Sequence, residues 1–503
     1  MTTFSIENFG CRATDADAAA IRHELVASGF EIVGEHSRAD LVVLNTCTVT
    51  AAADSQARET VRKIHRANPA ARIIVTGCYA QRAPEELAAI EGVAWVIGNS
   101  HITQIPAIIR ESIPSSNALN SQPGDFVPLA RLNDEPMSLS RGPAKILTGD
   151  IFAQSSVQLA PNTMIAGDRT RPILKIQDGC NNRCSYCVIP FVRGRSRSLE
   201  PGKVIEEVRK LVERGAKEIV LSGINLGSYG RDLTPRAELS TTVQRILDET
   251  GLDRLRFSSI EPQDVTGDFI ALLASSERIA PHFHIPLQSG SDRILHAMHR
   301  WYRAEHYAER VGIIRRNLPG ASIGADVIVG FPGETESDFR ATVDFVERTP
   351  LTYLHVFSFS ERPGTEAANL AEHVQDSVIR ERARTLRALS VRKLAAFRAS
   401  QAERTLRALT LARGGDGWTE ALTGNYLKVW VAGQHPANRW CDVLLPLDPA
   451  QVAEALGCSD TPVLTSTLEN HFGEGQVAAV RDCQRDIFHA KLVGDSARGT
   501  FEM

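Results

Sequence analysis

The stretch that decides the central fold is ILKIQDGCNNRCSYC, at positions 173–187. Its apolar beginning, 173–177, predicts a buried β-strand, and a cysteine-rich loop follows directly. The thiols of Cys180, Cys184 and Cys187 are separated by three residues and then by two. Three thiolates at this spacing can bind one face of a cubane iron–sulfur cluster and leave one iron open for chemistry.

A zinc site or a group of buried thiols is the alternative interpretation of this motif. Zinc motifs usually pair two C-x-x-C or C/H units. No second pair lies near Cys180 in the sequence, so the pattern favours an iron–sulfur cluster.

Further apolar runs of strand length follow, with helical patterns between them. The predicted strands are 173–177, 218–222, 255–260, 282–287, 324–329 and 353–359. Six βα units predict an α/β fold with a partial (β/α)6 barrel, related to the eight-unit form. A flat, doubly wound sheet is the alternative. Polar and glycine residues follow the strands, and the carboxyl ends of barrel strands share one mouth, where reactive groups collect.

The N-terminal part also alternates strand and helix. The predicted strands are 4–9, 41–44, 73–75 and 95–97, and the predicted helices include 15–28, 54–66 with Asp54 as N-cap, and one that begins at Pro84. This rhythm predicts a parallel sheet covered by helices. Residues 400–464, with strands at 405–411 and 426–431, predict a small β domain after a basic helix at 377–400.

Three single cysteines, Cys11, Cys47 and Cys78, each stand just past a predicted N-terminal strand. Because the ends of parallel strands share one edge, these thiols could converge on a second cluster. A lone cysteine is usually a small buried hydrophobe, and that alternative stays open here. The remaining cysteines share no such pattern and are predicted to be structural: Cys441, Cys458 and Cys483.

Composition narrows the class of protein. The chain has 503 residues, enough for two to four domains, and a formal net charge of −4, which excludes an overall basic coat but not a local nucleic-acid site. Its nine cysteines, an odd number, fit a secreted disulfide framework poorly. No secretory signal and no run of about 18 apolar residues occurs. We therefore expect a soluble, cytoplasmic protein without a membrane span.

Several motifs in this order resemble the radical S-adenosylmethionine methylthiotransferases, and the match covers most of the chain. Beside the cysteine motif they are NTCTV (45–49), TGCYAQ (76–81), LQSGS (287–291) and GFPGET (330–335). Within that family, RGRSRS (193–198) and RPGT (362–365) resemble the threonylcarbamoyladenosine tRNA methylthiotransferases. GNYLKV (424–429) resembles a TRAM RNA-binding module.

The resemblance implies a domain order: a methylthiotransferase N-terminal domain at 1–113, a linker at 114–165, a radical S-adenosylmethionine core at 166–398 and a TRAM-like RNA-binding domain at 400–464. The tail at 465–503 has no assignment, and the linker is longer than usual. The family usually has Asn three residues after the first cysteine, whereas Thr14 stands here. Since that Asn is expected to be structural support, Cys11 keeps its implied role.

The resemblance also implies two [4Fe-4S] clusters and S-adenosylmethionine. Cys180, Cys184 and Cys187 would bind the catalytic cluster, and Cys11, Cys47 and Cys78 the auxiliary cluster that supplies sulfur. A 5′-deoxyadenosyl radical would activate a C–H bond of the substrate adenine, and a second S-adenosylmethionine would supply the methyl group. Tyr186 would pack near the cofactor adenine. Further candidate cofactor contacts are Ser222, Glu261, Gln288 and Asp326.

The implied partners are tRNA and an electron donor such as flavodoxin or ferredoxin. RNA recognition needs positive charge. Candidates beside the cluster motif are Arg193, Arg195 and Arg197, and candidates near the β domain are Arg392, Lys393, Arg398, Arg404 and Arg407. For the second group, a solvated helix face is the alternative.

The leading hypothesis is methylthiolation of a hypermodified adenosine beside the tRNA anticodon. Methylthiolation of isopentenyladenosine, or of a ribosomal-protein aspartate, is a related alternative. A non-catalytic iron–sulfur RNA-binding protein is an alternative of another class.

Overall fold

The structure is a computed structural model. It describes residues 2–112, 144–157, 170–415, 417–445 and 487–492. Among these residues, no helix combines the length and the apolar character that crossing a membrane requires.

The N-terminal part forms the parallel sheet that the sequence predicts. Its strands are β1 (Thr3–Asn8), β2 (Glu31–Ile32), β3 (Leu41–Thr46), β4 (Arg72–Gly77), β5 (Val93–Gly98) and β6 (Lys145–Leu147), in the order β2-β1-β3-β4-β5-β6. β3 is buried along its whole length because helices cover both faces of the sheet.

The helices of this part are α1 (Arg12–Ala27), α2 (Ala51–Ala67), α3 (Cys78–Arg82), α4 (Pro84–Ala88) and α5 (Ile105–Ser112). The prediction that Asp54 caps the second helix is wrong. Thr50 is the N-cap and accepts a hydrogen bond from the amide of Ala53 at 3.2 Å. Asp54 lies in the first turn and pairs with Arg82 and Arg362 instead.

Part of the predicted linker belongs to the N-terminal sheet. β6 pairs in parallel with β5, with Trp95 opposite Lys145. Most of the remaining linker lies outside the described residues. The segment predicted to be a linker therefore includes a strand, β6, that lies at the edge of the N-terminal sheet.

The central part contains six parallel strands with helices between them. The strands are β7 (Ile173–Lys175), β10 (Glu218–Ser222), β11 (Arg254–Phe257), β12 (His282–His284), β13 (Ser322–Val329) and β14 (Tyr353–Ser358); β8 (Gln177–Asp178) and β9 (Arg197–Ser198) form a short antiparallel pair. A parallel bridge between Ser259 and His284 joins the β7-β10-β11 group to the β12-β13-β14 group.

The order of these strands follows the chain in one direction. A doubly wound sheet would reverse its order at a switch point. The flat alternative is therefore wrong, and the partial (β/α)6 barrel is confirmed. The helices are α6 (Ile189–Arg193), α7 (Pro201–Glu213), α8 (Leu239–Glu249), α9 (Gly267–Ala274), α10 (Asp292–Ala297), α11 (Ala304–Asn317), α12 (Glu336–Arg348) and α13 (Asp376–Ser400). Apolar side chains of the strands and of these helices form one continuous core.

The C-terminal part is a closed five-stranded barrel. Its strands are β15 (Thr405–Gly415), β16 (Trp418–Thr423), β17 (Lys428–Ala432), β18 (Trp440–Leu444) and β19 (Ile487–Leu492), in the order β15-β16-β17-β19-β18. β19 comes from the tail that had no assignment. Of the cysteines predicted to be structural, Cys441 is partly buried and lies near the carbonyl of Ala408, whereas Cys458 and Cys483 lie outside the described residues.

Buried charges and aromatic rings dock this barrel on the central part. Glu218, fully buried on β10, pairs with Arg256 at 2.8 Å and with Arg254 at 3.4 Å. Arg256 also donates to the carbonyl of Thr423 at 3.2 Å. The Arg254 guanidinium lies 4.3 Å from the centre of the Trp440 ring. Because these guanidiniums bridge the two parts, the ion pairs that they share with Glu218 stabilise the docking.

We predict that Glu218→Gln lowers the stability of the docked barrel by about 3 kcal/mol, since it leaves buried guanidiniums without their carboxylate. Urea denaturation followed by tryptophan fluorescence would measure this through the Trp440 interface. Glu249→Gln is the control, because Glu249 pairs with Arg245 on the exposed surface of α8. Equal midpoints for the two variants would contradict the proposed role of Glu218.

Candidate active site between two sets of cysteines

The first cysteine set consists of Cys180, Cys184 and Cys187. It lies in the loop after β8, at the carboxyl end of the first barrel strand. Gly179 begins this loop with a φ of +70°, and a Cβ there would lie 2.0 Å from the Arg195 carbonyl oxygen. Only glycine fits this close approach. The loop is closed by the amide of Cys180, which donates to the Gly194 carbonyl at 3.1 Å.

The chemistry of these thiols fits a cluster. Burial is the main cause that raises the pKa of Cys180 to about 11 and that of Cys187 to about 12. The free thiols are therefore protonated at neutral pH, whereas iron binds thiolates and its charge stabilises them. All cysteines of the described chain are free thiols. Three cysteines in one loop fit a [4Fe-4S] cluster with one open iron.

Arg300, in the turn after α10, connects this loop to the barrel mouth. Its Nη1 lies 3.3 Å from the Sγ of Cys184, and its Nη2 forms an ion pair with Glu261. Burial raises the pKa of Glu261, and the charge of Arg300 opposes that rise. The sequence did not single out Arg300, because only the fold brings it to the cysteine loop.

The other candidate cofactor contacts lie on successive strands around the mouth. Ser222 ends β10, and its buried Oγ has no hydrogen-bond partner among the described residues. Gln288 has a φ of +67°, and its backbone amide donates a hydrogen bond to the backbone carbonyl of Asp326 at 2.8 Å. Tyr186 packs with an apolar cluster that includes Phe331. The structure thus brings these residues to one side of the barrel.

Asp326 lies between two histidines that the sequence did not single out. One of its oxygens is 2.9 Å from the Nε2 of His284 and 3.3 Å from the Nδ1 of His355. Burial raises the pKa of Asp326, but its close contacts with the two histidines outweigh burial and hold that pKa below its usual value. A carboxylate held ionised in this way can accept hydrogen bonds from hydroxyl groups of a bound ligand.

The second cysteine set consists of Cys11, Cys47 and Cys78. These residues follow β1, β3 and β4, which are neighbours in the N-terminal sheet. A Cβ on Gly10 would lie 2.6 Å from the Cβ of Cys47, so the loop before α1 packs on that cysteine. Burial, followed by the charges of Cys78 and Cys11, raises the pKa of Cys47 to about 12. The three predicted residues therefore share one edge and one electrostatic environment.

Polar groups surround the sulfur of Cys78. The Nε of Arg193 lies 3.2 Å from this sulfur, and the Nδ2 of Asn99 lies 3.6 Å away. Burial raises the pKa of Cys78, and the charge of Arg193 opposes it. A cation beside a cysteine favours the thiolate that binds metal. Arg193 belongs to α6, directly after the first cysteine set, so it links the two sets.

Thr14 supports the loop that carries Cys11. Its hydroxyl donates to the carbonyl of Cys11 at 2.7 Å, and its own carbonyl accepts from the side chain of Asn45 at 2.7 Å. Thr14 is fully buried. The threonine that replaces the usual asparagine therefore fixes this turn.

A buried network of charges joins α1 to the barrel. Asp17 pairs with Lys175 of β7 and with Arg193, the latter at 2.8 Å. Asp178 pairs with Lys175 at 2.9 Å and with Arg193 at 3.1 Å. We call these four residues the interdomain charge network. It fixes the N-terminal sheet to the strand that precedes the first cysteine set.

The prediction that Arg193 and Arg197 contact RNA is wrong. Both are buried, and Arg197 donates to the carbonyl of Arg193 at 2.9 Å. Arg195 between them is exposed. Of the second group, Lys393 donates to the carbonyl of Thr349 at 2.8 Å at the end of α12. The other four candidates of that group, Arg392, Arg398, Arg404 and Arg407, stay predictions.

Comparisons with known proteins agree with this geometry. Residues 3–98 match the model of the uncharacterized protein family UPF0004, and residues 174–346 match that of the radical SAM superfamily. A radical S-adenosylmethionine methyltransferase, TsrM, from Kitasatospora setae has a similar fold, with a TM-score of 0.52 and 17% identity over 73% of this chain and 75% of its own. Fold and site thus define a radical S-adenosylmethionine enzyme.

Curated relatives narrow the class. The chain is 35% identical to threonylcarbamoyladenosine tRNA methylthiotransferase MtaB of Aquifex aeolicus, over 88% of this chain and 99% of that protein. It is 38% identical to MtaB of Bacillus subtilis, over 78% and 80% of the two chains. It is 33% identical to a tRNA-2-methylthio-N(6)-dimethylallyladenosine synthase of Moorella thermoacetica, over 76% and 81%. The chain belongs to the radical S-adenosylmethionine methylthiotransferase family, and it uses S-adenosylmethionine and a [4Fe-4S] cluster.

We predict that Arg300→Met lowers formation of 5′-deoxyadenosine about 10-fold to 100-fold, as is typical when a group that orients a metal ligand is lost. The electron paramagnetic resonance spectrum of the reduced cluster should change as well. Arg293→Met is the control, because Arg293 lies on α10 and pairs with Asp338 away from the cysteines. An unchanged spectrum and an unchanged rate in Arg300→Met would contradict the role of Arg300 at the first cysteine set.

Proposed function

We propose that this enzyme converts N6-threonylcarbamoyladenosine next to the tRNA anticodon to its 2-methylthio derivative. The observation that carries this proposal is the similarity to MtaB of Aquifex aeolicus, which spans 99% of that protein. The match covers 88% of this chain, which is far more than the central part alone, so it supports the proposed chemistry and the tRNA substrate together.

The first cysteine set holds the catalytic cluster. When bound, the cluster and S-adenosylmethionine supply a 5′-deoxyadenosyl radical that activates the C–H bond at C2 of the adenine. The chain positions the reactants. Arg300 fixes Glu261 beside Cys184, and Asp326, held ionised by two histidines, offers an acceptor for the cofactor.

The second cysteine set holds an auxiliary [4Fe-4S] cluster that supplies sulfur. Three neighbouring thiols at adjacent strand ends and the Arg193 guanidinium 3.2 Å from one of them support this proposal. The adenine would lie between the two sets, since the carboxyl ends of the sheet and of the barrel meet there.

The proposed partners follow from the same chemistry. tRNA is the substrate, and a flavodoxin or ferredoxin delivers the electron. The enzyme would act in the cytoplasm, where tRNA is modified. The second candidate substrate is isopentenyladenosine in tRNA, which the 33% identity to the dimethylallyladenosine synthase of Moorella thermoacetica favours.

Nucleoside mass spectrometry of tRNA tests the substrate. In a strain without this gene, we expect the 2-methylthio derivative of threonylcarbamoyladenosine to disappear and its unthiolated precursor to accumulate. The wild-type gene on a plasmid should restore the product. Loss of the 2-methylthio derivative of isopentenyladenosine alone would instead support the second candidate.

Separate substitutions in the two cysteine sets test their division of labour. We expect Cys180→Ala to abolish 5′-deoxyadenosine formation, and Cys47→Ala to retain it but insert no sulfur. Each variant should lose about half of the roughly eight iron atoms of two [4Fe-4S] clusters. Cys441→Ala, outside both sets, is the control and should keep all of the iron. Full iron content in Cys47→Ala would contradict the auxiliary cluster.

A further inference from the structure

A basic cavity of about 420 Å³ lies where the three parts of the chain meet. Its walls come from the start of α1, from the inner face of β7 and β10, and from β15, β16 and β17. Cavities of this size accommodate small ligands or single groups of a larger one. The charged residues that line it are Arg12, Arg171, Arg413, Lys428 and Glu420.

The positive charges of this basic cavity exceed the negative charges around it. Arg171 pairs with Glu218 at 3.2 Å, but that carboxylate is already shared with Arg254 and Arg256. Arg12 donates to a neutral group, the carbonyl of Phe257, at 3.0 Å. Within the described part of the chain, no carboxylate pairs with Arg12, Arg413 or Lys428. The cavity is therefore a strongly positive environment.

This positive charge affects the pKa of Tyr426, whose phenol lies in the same wall. Burial raises its pKa, but the guanidiniums of Arg12, Arg171 and Arg256 outweigh burial and lower it. A positive environment that favours a phenolate will favour any other oxyanion placed there.

The position of the basic cavity relates it to the reaction. Arg12 is adjacent to Cys11 of the second cysteine set, and Ile173 and Val220 are paired neighbours on β7 and β10 of the barrel. The cavity is thus bounded by the start of the helix that follows Cys11 and by two adjacent strands of the barrel. In a substrate adenine, the reacting C2 and the C6 that carries N6 are both bonded to N1 of the same six-membered ring. A group on N6 therefore lies close to the reacting carbon.

We propose that the basic cavity binds an oxyanion that the substrate RNA carries beside its reacting base. Guanidinium groups match carboxylate and phosphate oxygens in paired hydrogen bonds. Two groups supply such an anion: the carboxylate of the threonylcarbamoyl substituent and a backbone phosphate. The first source rests on the proposed function, and the second requires only an RNA substrate. If the carboxylate is the anion, a dimethylallyl group leaves these cations without a partner, and the cavity then discriminates against it.

Binding of anticodon stem-loop RNA to the reconstituted holoenzyme tests this proposal. Fluorescence anisotropy would compare an RNA that carries threonylcarbamoyladenosine with the same RNA carrying unmodified adenosine. The variants are Lys428→Gln and Arg413→Gln. Lys203→Gln, on the exposed surface of α7, is the matched control. Lys428→Arg should restore binding, since it keeps the charge.

If the anion is the carboxylate, each cavity variant should bind the modified RNA about tenfold more weakly and the unmodified RNA as before. If the anion is a phosphate, both RNAs should lose affinity about equally, and the slope of binding against salt should fall by about one. Either result supports an oxyanion site. Cavity variants that bind both RNAs as tightly as Lys203→Gln would overturn it.

The proposed function is measured separately. Turnover of the modified RNA by the wild-type enzyme tests the substrate, whereas affinity differences between wild type and variants test the cavity. A wild-type enzyme that does not thiolate the modified RNA, with variants that still lose affinity for RNA, would reject the substrate and retain the cavity.

Discussion

The arrangement of the active site depends on the interdomain charge network. Asp17 comes from α1 of the N-terminal part, whereas Lys175 and Asp178 precede the first cysteine set in the central part and Arg193 follows it. Removing one member of a buried charge network leaves its partners unpaired, at a cost of about 3–5 kcal/mol. That cost opposes any movement that separates the sheet from the barrel. Arg193 extends the network to the sulfur of Cys78. The interaction that joins the domains therefore also places a positive charge beside this cysteine.

This constraint explains why two sets of cysteines far apart in the sequence meet. The second set stands at the ends of β1, β3 and β4, and the first stands at the end of β7. Reactive groups collect at the carboxyl ends of parallel strands in both architectures. The network joins the two edges, and Val188 and Val192, which follow the first set, pack against Cys78 of the second set. Guanidiniums lie next to the sulfur atoms of Cys78 and Cys184, and positive charge at such positions favours thiolates.

Much of the fold could be predicted because its signals are local. Apolar runs and helical periods located four of the six strands of the N-terminal sheet and the six parallel strands of the barrel, and the position of each cysteine after a strand indicated the shared edges. Long-range contacts carried no such signal. Arg300 follows α10 by a few residues, yet it acts at Cys184, more than 100 residues away in the chain. Arg193 was predicted to contact RNA because it places positive charge beside the cluster motif, but it is buried and pairs with two aspartates from different parts of the chain.

Predictions from local sequence rules were also wrong where a residue distant in the sequence competes for the same side chain. Asp54 has the right chemistry for an N-cap, but its carboxylate pairs with Arg82 and Arg362, and Thr50 caps α2. β19 could not be predicted because its pairing partners, β17 and β18, precede it by more than 40 residues. The contacts of His284 and His355 could not be predicted from the sequence, because the fold of adjacent barrel strands places the two histidines on either side of Asp326.

We propose that the interdomain charge network holds two iron–sulfur clusters, one at each cysteine set, close to each other. Anomalous diffraction at the iron absorption edge from crystals of the reconstituted enzyme tests it most directly. We predict two separate iron peaks. One should be bonded to the first cysteine set, Cys180, Cys184 and Cys187. The other should be bonded to the second set, Cys11, Cys47 and Cys78, with Arg193 beside it. A single iron peak at the first set, with the second set free of iron, would contradict it.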